Sequence, residues 1–185
     1  METAAKLKAE HIEGVPVIDI SSLVGTASEK EKHATSLEIG KALRDLGFLY
    51  VINHGIEQTL RDKMMEWCVR FFDLPLEKKM EVVQARDSVR GYVNFGQERT
   101  YSRADWKEAM YHMTETEIAV ADGPINLLRG KNPWPDPKFL PGFKEETILY
   151  VKRMNALGHI MMSAIAVSLG EYIRYVSNLE NALTV

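Results

Sequence analysis

The stretch Arg44-Asp45-Leu46-Gly47-Phe48-Leu49-Tyr50-Val51-Ile52-Asn53-His54-Gly55-Ile56 decides how the chain reads. Gly47 ends a helix that lies before it. Phe48 to Ile52 is a continuous apolar run, the pattern of a strand buried on both faces. Asn53-His54-Gly55 is the turn that follows, with Gly55 supplying a positive φ.

Working towards the N-terminus, Ser28 and Glu31 form a capping-box pair that opens a helix to about Leu46. Ile39, Ala42, Leu43 and Leu46 share one of its faces. Val15 to Ile20 is a short strand, with Pro16 suited to an edge or a strand start. Residues 1–14 are polar and read as a partly disordered lead-in.

Towards the C-terminus, Leu60, Met64, Trp67 and Phe71 mark an amphipathic helix. Pro75 falls at the first position of a short helix reaching Val83. Gly91 to Gly96 alternates in polarity, and Trp106 to Met113 is a further strand candidate. Residues 122–141 hold five of the seven prolines and read as an extended loop. Trp134 and Phe139 make that loop too apolar for a free linker, so it is expected to lie against the domain. The longest helix spans about Phe143 to Leu169, with Tyr150, Met154, Leu157, Met161 and Ile165 as its apolar stripe. The pattern weakens after Gly170, where residues 171–185 read as a divergent tail.

Length and composition bound the function. The 185 residues are 45 % apolar and 26 % charged, as in an ordinary globular domain with a real core. A net charge of -3, with Lys and Arg scattered, gives no general attraction to nucleic acid or anionic lipid. No apolar run approaches the ~20 residues of a membrane span. Cys68 is the single cysteine, so neither an internal disulfide nor a cysteine-based zinc site can form. A cytoplasmic protein with no nucleic-acid or membrane partner is the expectation.

Several local patterns, taken in order, resemble the N-terminal part of the isopenicillin N synthase-like family of Fe(II)- and mostly 2-oxoglutarate-dependent dioxygenases. They are Val15 to Ser21, Arg44 to Ile56, and Phe71-Phe72-Asp73-Leu74-Pro75-Leu76-Glu77-Lys78-Lys79. Gly91-Tyr92, Asp105-Trp106-Lys107-Glu108, Asn132-Pro133-Trp134-Pro135-Asp136, Pro141-Gly142-Phe143 and Ser168-Leu169-Gly170 keep the same order. The resemblance covers residues 15–170 and implies an α+β, helix-rich fold. It corresponds to the non-haem dioxygenase N-terminal domain, with most of the jelly-roll barrel missing.

In that family the barrel carries a His-x-Asp pair and a distal His for iron, and an Arg-x-Ser pair for 2-oxoglutarate. Three facial ligands leave positions open for co-substrate and oxygen. The last histidine here is His159, and no Arg-x-Ser pair lies in the C-terminal part. The chain alone is therefore expected to hold no metal, no catalytic residue and no cofactor. Fe(II), 2-oxoglutarate and a small-molecule substrate belong to the complete enzyme. The alternative is a truncated, non-catalytic paralogue acting as a protein-binding module. Either way, apolar surface left without the barrel is expected to favour self-association and hydrophobic-dye binding.

Single residues divide between two readings. The resemblance makes Arg90, Tyr92 and Asn94 the candidates for substrate contact at the barrel mouth. An Arg and a Tyr can grip a carboxylate by charge-assisted bonds. The plainer reading is a polar edge strand. His11-x-Glu13 imitates a ligand pair but sits in a polar tail. His54 is expected to fix its turn, and His159 to sit in a core or interface. His112 is isolated. Cys68 is expected to be a buried, inert thiol. Met110, Met113, Met154, Met161 and Met162 read as core filler, and Trp106 and Trp134 as packing anchors.

Overall fold

A computed structural model describes residues 11–12, 14–86, 88–116 and 128–171. Its elements form two compact units, residues 1–56 with 154–185, and residues 57–153.

The first unit is built on a three-stranded sheet, β1 (His11–Ile12), β2 (Val15–Asp19) and β3 (Tyr50–Ile52), in that order. β1 runs antiparallel to β2, so the expected lead-in contributes a short strand. β2 and β3 are parallel, with Val17, Ile18 and Asp19 opposite Tyr50, Val51 and Ile52. A parallel pair needs a crossover connection. Here it is supplied by α1 (Ser21–Val24), which the sequence pattern did not reveal, and α2 (Glu29–Asp45). Both halves of the capping box are made: Ser28 Oγ accepts from the Glu31 amide, and Glu31 Oε2 accepts from the Ser28 amide.

The core of this unit is Ile18, Ile20, Ile39, Ala42 and Ala164. Leu157, Met161 and Ile165 of α5 (Phe143–Ser168) pack against it, so the lower half of the expected stripe is half-buried here. Met154 and Met162 are exposed instead. Gly40 lets α2 and α5 approach closely, since a Cβ there would lie 2.4 Å from that of Ser168.

The Phe48 to Ile52 run differs from expectation in a specific way. The strand begins at Tyr50 rather than Phe48, and it is not covered on both faces. Phe48 is 70 % exposed and Tyr50 49 % exposed. Leu49 and Val51, on the other face, pack on the core.

The second unit holds α3 (Gln58–Phe72), α4 (Leu76–Met80), strands β4 (Gly91–Val93), β5 (Arg99–Thr100), β6 (Arg103–Ala104) and β7 (Ala109–Tyr111), and the first turns of α5. Pro75 is the N-cap of α4 rather than its first helical residue, and α4 stops at Met80. Trp67, Phe71, Val82, Tyr92, Leu140 and Phe143 make an aromatic core. Phe71 and Phe143 stack with centroids 6.0 Å apart, and Trp67 meets Phe143 edge-on at 5.9 Å. Within the proline-rich loop, Leu140 is buried and Trp134 packs on this core, while Leu128 and Phe139 stay exposed. Residues 122–127 of that loop, and the tail from 172 to 185, lie outside the described residues.

Candidate functional site

Residues 91–111 form one antiparallel ribbon. Its base is β4 against β7, with Gly91 opposite Tyr111 and Val93 opposite Ala109. It continues through the Gly96 amide to Lys107 O (3.2 Å) and the Asp105 amide to Glu98 O (2.9 Å), then through β5 and β6. Tyr101 and Ser102 make the tip, with φ of 48° and 66°. Two consecutive positive φ values are the geometry of a primed hairpin turn, which matches the strand twist.

Strand alternation gives the upper ribbon two faces of opposite character. Glu98, Thr100, Asp105 and Lys107 share one face. Lys107 pairs with Glu98 at 2.5 Å, the Tyr111 hydroxyl donates to Glu98 at 2.8 Å, and Thr100 bonds Asp105 at 3.1 Å. Arg99 and Trp106 share the other face with Ala104. Trp106 is 89 % exposed, and so the expected packing anchor is instead a bare indole. Tyr101 at the tip and Phe95 lower down are exposed as well.

The ribbon's base rests on a buried polar cluster. Lys79 Nζ donates to Phe72 O (3.1 Å) and to Glu108 Oε2 (2.8 Å). The Tyr92 hydroxyl donates to the same Glu108 oxygen at 2.5 Å. Burial alone would raise the Glu108 carboxyl, but the bonds from Lys79 and Tyr92 outweigh it and hold it below its ordinary range. Burial and the adjacent carboxylate push the Tyr92 phenol up to about 12. Asn94 Oδ1 accepts from the Phe95 amide at 2.8 Å and lies 3.3 Å from the Tyr92 hydroxyl.

The expected substrate contacts are thus placed differently from one another. Arg90 is 1 % exposed and Tyr92 fully buried. The Arg90 guanidinium donates to Leu128 O and Thr114 O, each at 2.8 Å, and straps together the segments at residues 114 and 128. Internal partners engage the two terminal nitrogens of Arg90 and the Tyr92 hydroxyl, while Arg90 Nε is buried with no hydrogen-bond partner among the described residues. Asn94 remains half-buried at the edge of the cluster. The strand is not the polar edge strand of the plainer reading: Gly91 to Val93 are buried, with β7 on one side and a bridge from Val83 to Tyr92 on the other. The residues missed are Lys79 and Glu108; the charged neighbours Lys78 and Lys107 leave no sequence signal of which side chain turns inward.

A second polar seam joins residues 112–116 to 130–134. The Asn132 side chain bridges the Met113 amide (3.0 Å) and carbonyl (2.8 Å). Glu115 Oε1 accepts from the Asn132 amide and from the Trp134 indole, each at 2.9 Å. His112 stacks on Trp134 with centroids 4.5 Å apart and meets Phe143 edge-on at 5.6 Å. Burial pushes His112 down to about 4, with the Glu115 charge opposing it.

The described histidines are scattered. His54 Nδ1 accepts from the Ile56 amide at 3.1 Å and fixes its turn, as expected, and Gly55 has φ of 77°. His33 is exposed on α2, His112 is enclosed by rings, and His159 lies half-buried on α5. Among the described residues no group of three His, Cys, Asp or Glu side chains is placed to hold a metal ion. The described donor set therefore does not fit an iron centre. Cys68 corrects another expectation: it is exposed on α3, although partial burial of its thiol still raises its pKa. Among the described residues no helix is long and apolar enough to cross a membrane.

Comparison with known proteins gives a consistent set of relatives. Residues 15–137 match the family described as non-haem dioxygenase in morphine synthesis N-terminal. A 1-aminocyclopropane-1-carboxylate oxidase of Dictyostelium mucoroides is 34 % identical over 165 residues, covering 85 % of this chain and 43 % of the oxidase. A probable iron/ascorbate oxidoreductase of Dictyostelium discoideum is 34 % identical over 187 residues, covering 94 % and 50 %. A full-length Neurospora crassa protein, solved in complex with alpha-KG and 5-formyluracil, is 31 % identical, with a TM-score of 0.68, covering 91 % and 49 %. The chain spans about half the length of these relatives and corresponds to their N-terminal part.

Proposed function

This chain belongs to the non-haem 2-oxoglutarate/Fe(II) oxygenase family, and from that premise we propose that it is the N-terminal half of an oxidoreductase acting on a small molecule. Residues 15–170 are its N-terminal domain, and the jelly-roll half supplies the iron ligands. The observation that carries this reading is the open side of β3 and of the residues that lead into it. The strand has a hydrogen-bonded neighbour, β2, along one edge, while Tyr50 and the preceding Phe48 lie open. A strand with this composition is built to be covered. A second half packed on it would bury both rings, each contributing roughly 1.5–3 kcal/mol.

Fe(II) and 2-oxoglutarate supply oxygen activation in the complete enzyme. This chain's part is structural and positional. Lys79, Glu108 and Tyr92 fix the base of the ribbon, and Arg90 fixes the segments beside it. Asn94 and the exposed ribbon face, with Trp106 and Arg99, are the groups available to meet a substrate. Alone, the chain is inactive and tends to self-associate through its uncovered apolar face.

Anaerobic calorimetry with Fe(II), followed by a succinate assay with 2-oxoglutarate and oxygen, tests this reading. The chain alone should show no stoichiometric iron binding and no succinate above background. One-to-one binding with succinate release would overturn it.

A further inference from the structure

Gly40 of α2 and Gly158 of α5 both sit in helix interiors, where glycine is unfavourable against alanine. Gly40 is explained by the close approach of Ser168. Gly158 is exposed, and among the described residues nothing lies within 4 Å of where its Cβ would stand. The flank around it is unlike a solvated one. Met154 is 40 % exposed, Met162 51 % and Leu169 67 %. No Asp, Glu, Lys or Arg occurs from Met154 to Gly170, although an exposed helix face ordinarily carries them. A glycine one turn from each of two methionines leaves a notch that a side chain of a second helix can enter.

α5 also stops in a defined way. Gly170 has φ of 78°, the Glu171 amide donates to Ala166 O and the Gly170 amide to Val167 O, each at 3.0 Å. These are the paired bonds of a Schellman ending. Residues 172–183, outside the described residues, carry a plain pattern in sequence. Tyr172, Val176, Leu179 and Leu183 recur at spacings of four, three and four, with Arg174, Ser177, Asn178 and Asn181 opposite them. A helix restarted after so short a connection lies antiparallel to the one before it. Tyr172 to Leu183 spans the same number of residues as Leu169 back to Gly158, roughly 16 Å on each helix.

We propose that the Gly158 flank of α5 is the seat of residues 172–183 of this same chain, docked as an antiparallel helix. Leu183 fills the Gly158 notch and Leu179 lies against Met162. The docking calls on neither iron nor the jelly-roll half.

Disulfide trapping in the full chain, with the exposed Cys68 replaced by Ser, tests it. Under mild oxidation the pair Met162→Cys/Leu179→Cys should close within one chain roughly tenfold faster than Met162→Cys/Asn181→Cys, whose second thiol is on the far side of the helix. Gly158→Leu, a change to a good helix former in open space, should slow the first pair severalfold by filling the notch. Equal rates for the two pairs, no closure of either, or a rate unmoved by Gly158→Leu would overturn the proposal. So would covalent dimers in place of the internal disulfide, which would assign the flank to a second copy of the chain.

Discussion

The two units each close a core but leave their exposed aromatic residues in different places. In the second, Trp67, Phe71, Tyr92 and Phe143 close an aromatic core, and the charged groups that enter it arrive with partners. In the first, Ile18, Ile20 and Ile39 close one face of the sheet, while Phe48 and Tyr50 on the other are left to solvent. The second unit keeps its open aromatic residues, Trp106, Tyr101 and Phe95, on a protruding ribbon away from that core. The first leaves Phe48 and Tyr50 open directly behind its sheet. The contrast separates exposed rings on a hairpin from exposed rings on the back of a core strand.

The largest effects should come from breaking what the second unit completes. Glu108→Ala leaves the Lys79 ammonium, 10 % exposed, without its carboxylate and Tyr92 without its acceptor. A buried charge stripped of its partner costs about 3–5 kcal/mol. Urea unfolding should show a loss on that scale. Phe71→Ala removes a fully buried ring from the centre of the aromatic core and should cost a similar amount, about 3–5 kcal/mol.

An intermediate effect follows from His112. Its pKa is pushed from 6.5 to about 4 in the folded chain, so the unfolded state takes up the proton first as pH falls. The stabilisation is fully present above about pH 6.5 and is lost progressively down to about pH 4, on the order of 3 kcal/mol in all. Glu108 and Glu115, held below their ordinary range, add further loss once the pH drops below about 4.5. His112→Phe keeps the stack on Trp134 and should flatten the upper part of this profile in melts between pH 7 and pH 5.

The smallest effects belong to the first unit's turn and bare face. Gly55→Ala forces a side chain onto a φ of 77° with open space around it, and should cost about 1 kcal/mol. Phe48→Ser should change the stability of the chain by less than about 0.5 kcal/mol, because the ring is already in solvent. A loss of several kcal/mol at Phe48 would mean that the first unit is closed after all.

Much of the fold was legible because its signals are local. The Ser28–Glu31 capping box, the Gly55 turn and the amphipathic spacing of Trp67 and Phe71 each depend on a few neighbouring residues. What escaped depends on pairing across distance. The ribbon's tip uses Tyr101 and Ser102 where a glycine would normally signal the turn. Trp106 looks like an anchor by composition, and only the register puts it on the open face. Arg90 and Tyr92 carry the chemistry of a substrate clamp, yet their partners, Leu128, Thr114 and Glu108, lie 16 to 38 residues away. Sequence pattern cannot separate a polar group aimed at a ligand from one aimed at its own backbone.

The central claim is that the bare face of β3 is an unfilled docking surface. A hydrophobic-dye titration of the chain against a Phe48→Ser/Tyr50→Ser variant tests it most directly. The chain should bind the dye saturably, and the double variant should lose most of that signal while keeping the same circular dichroism. Absence of dye binding by the chain, or an undiminished signal in the variant, would contradict it.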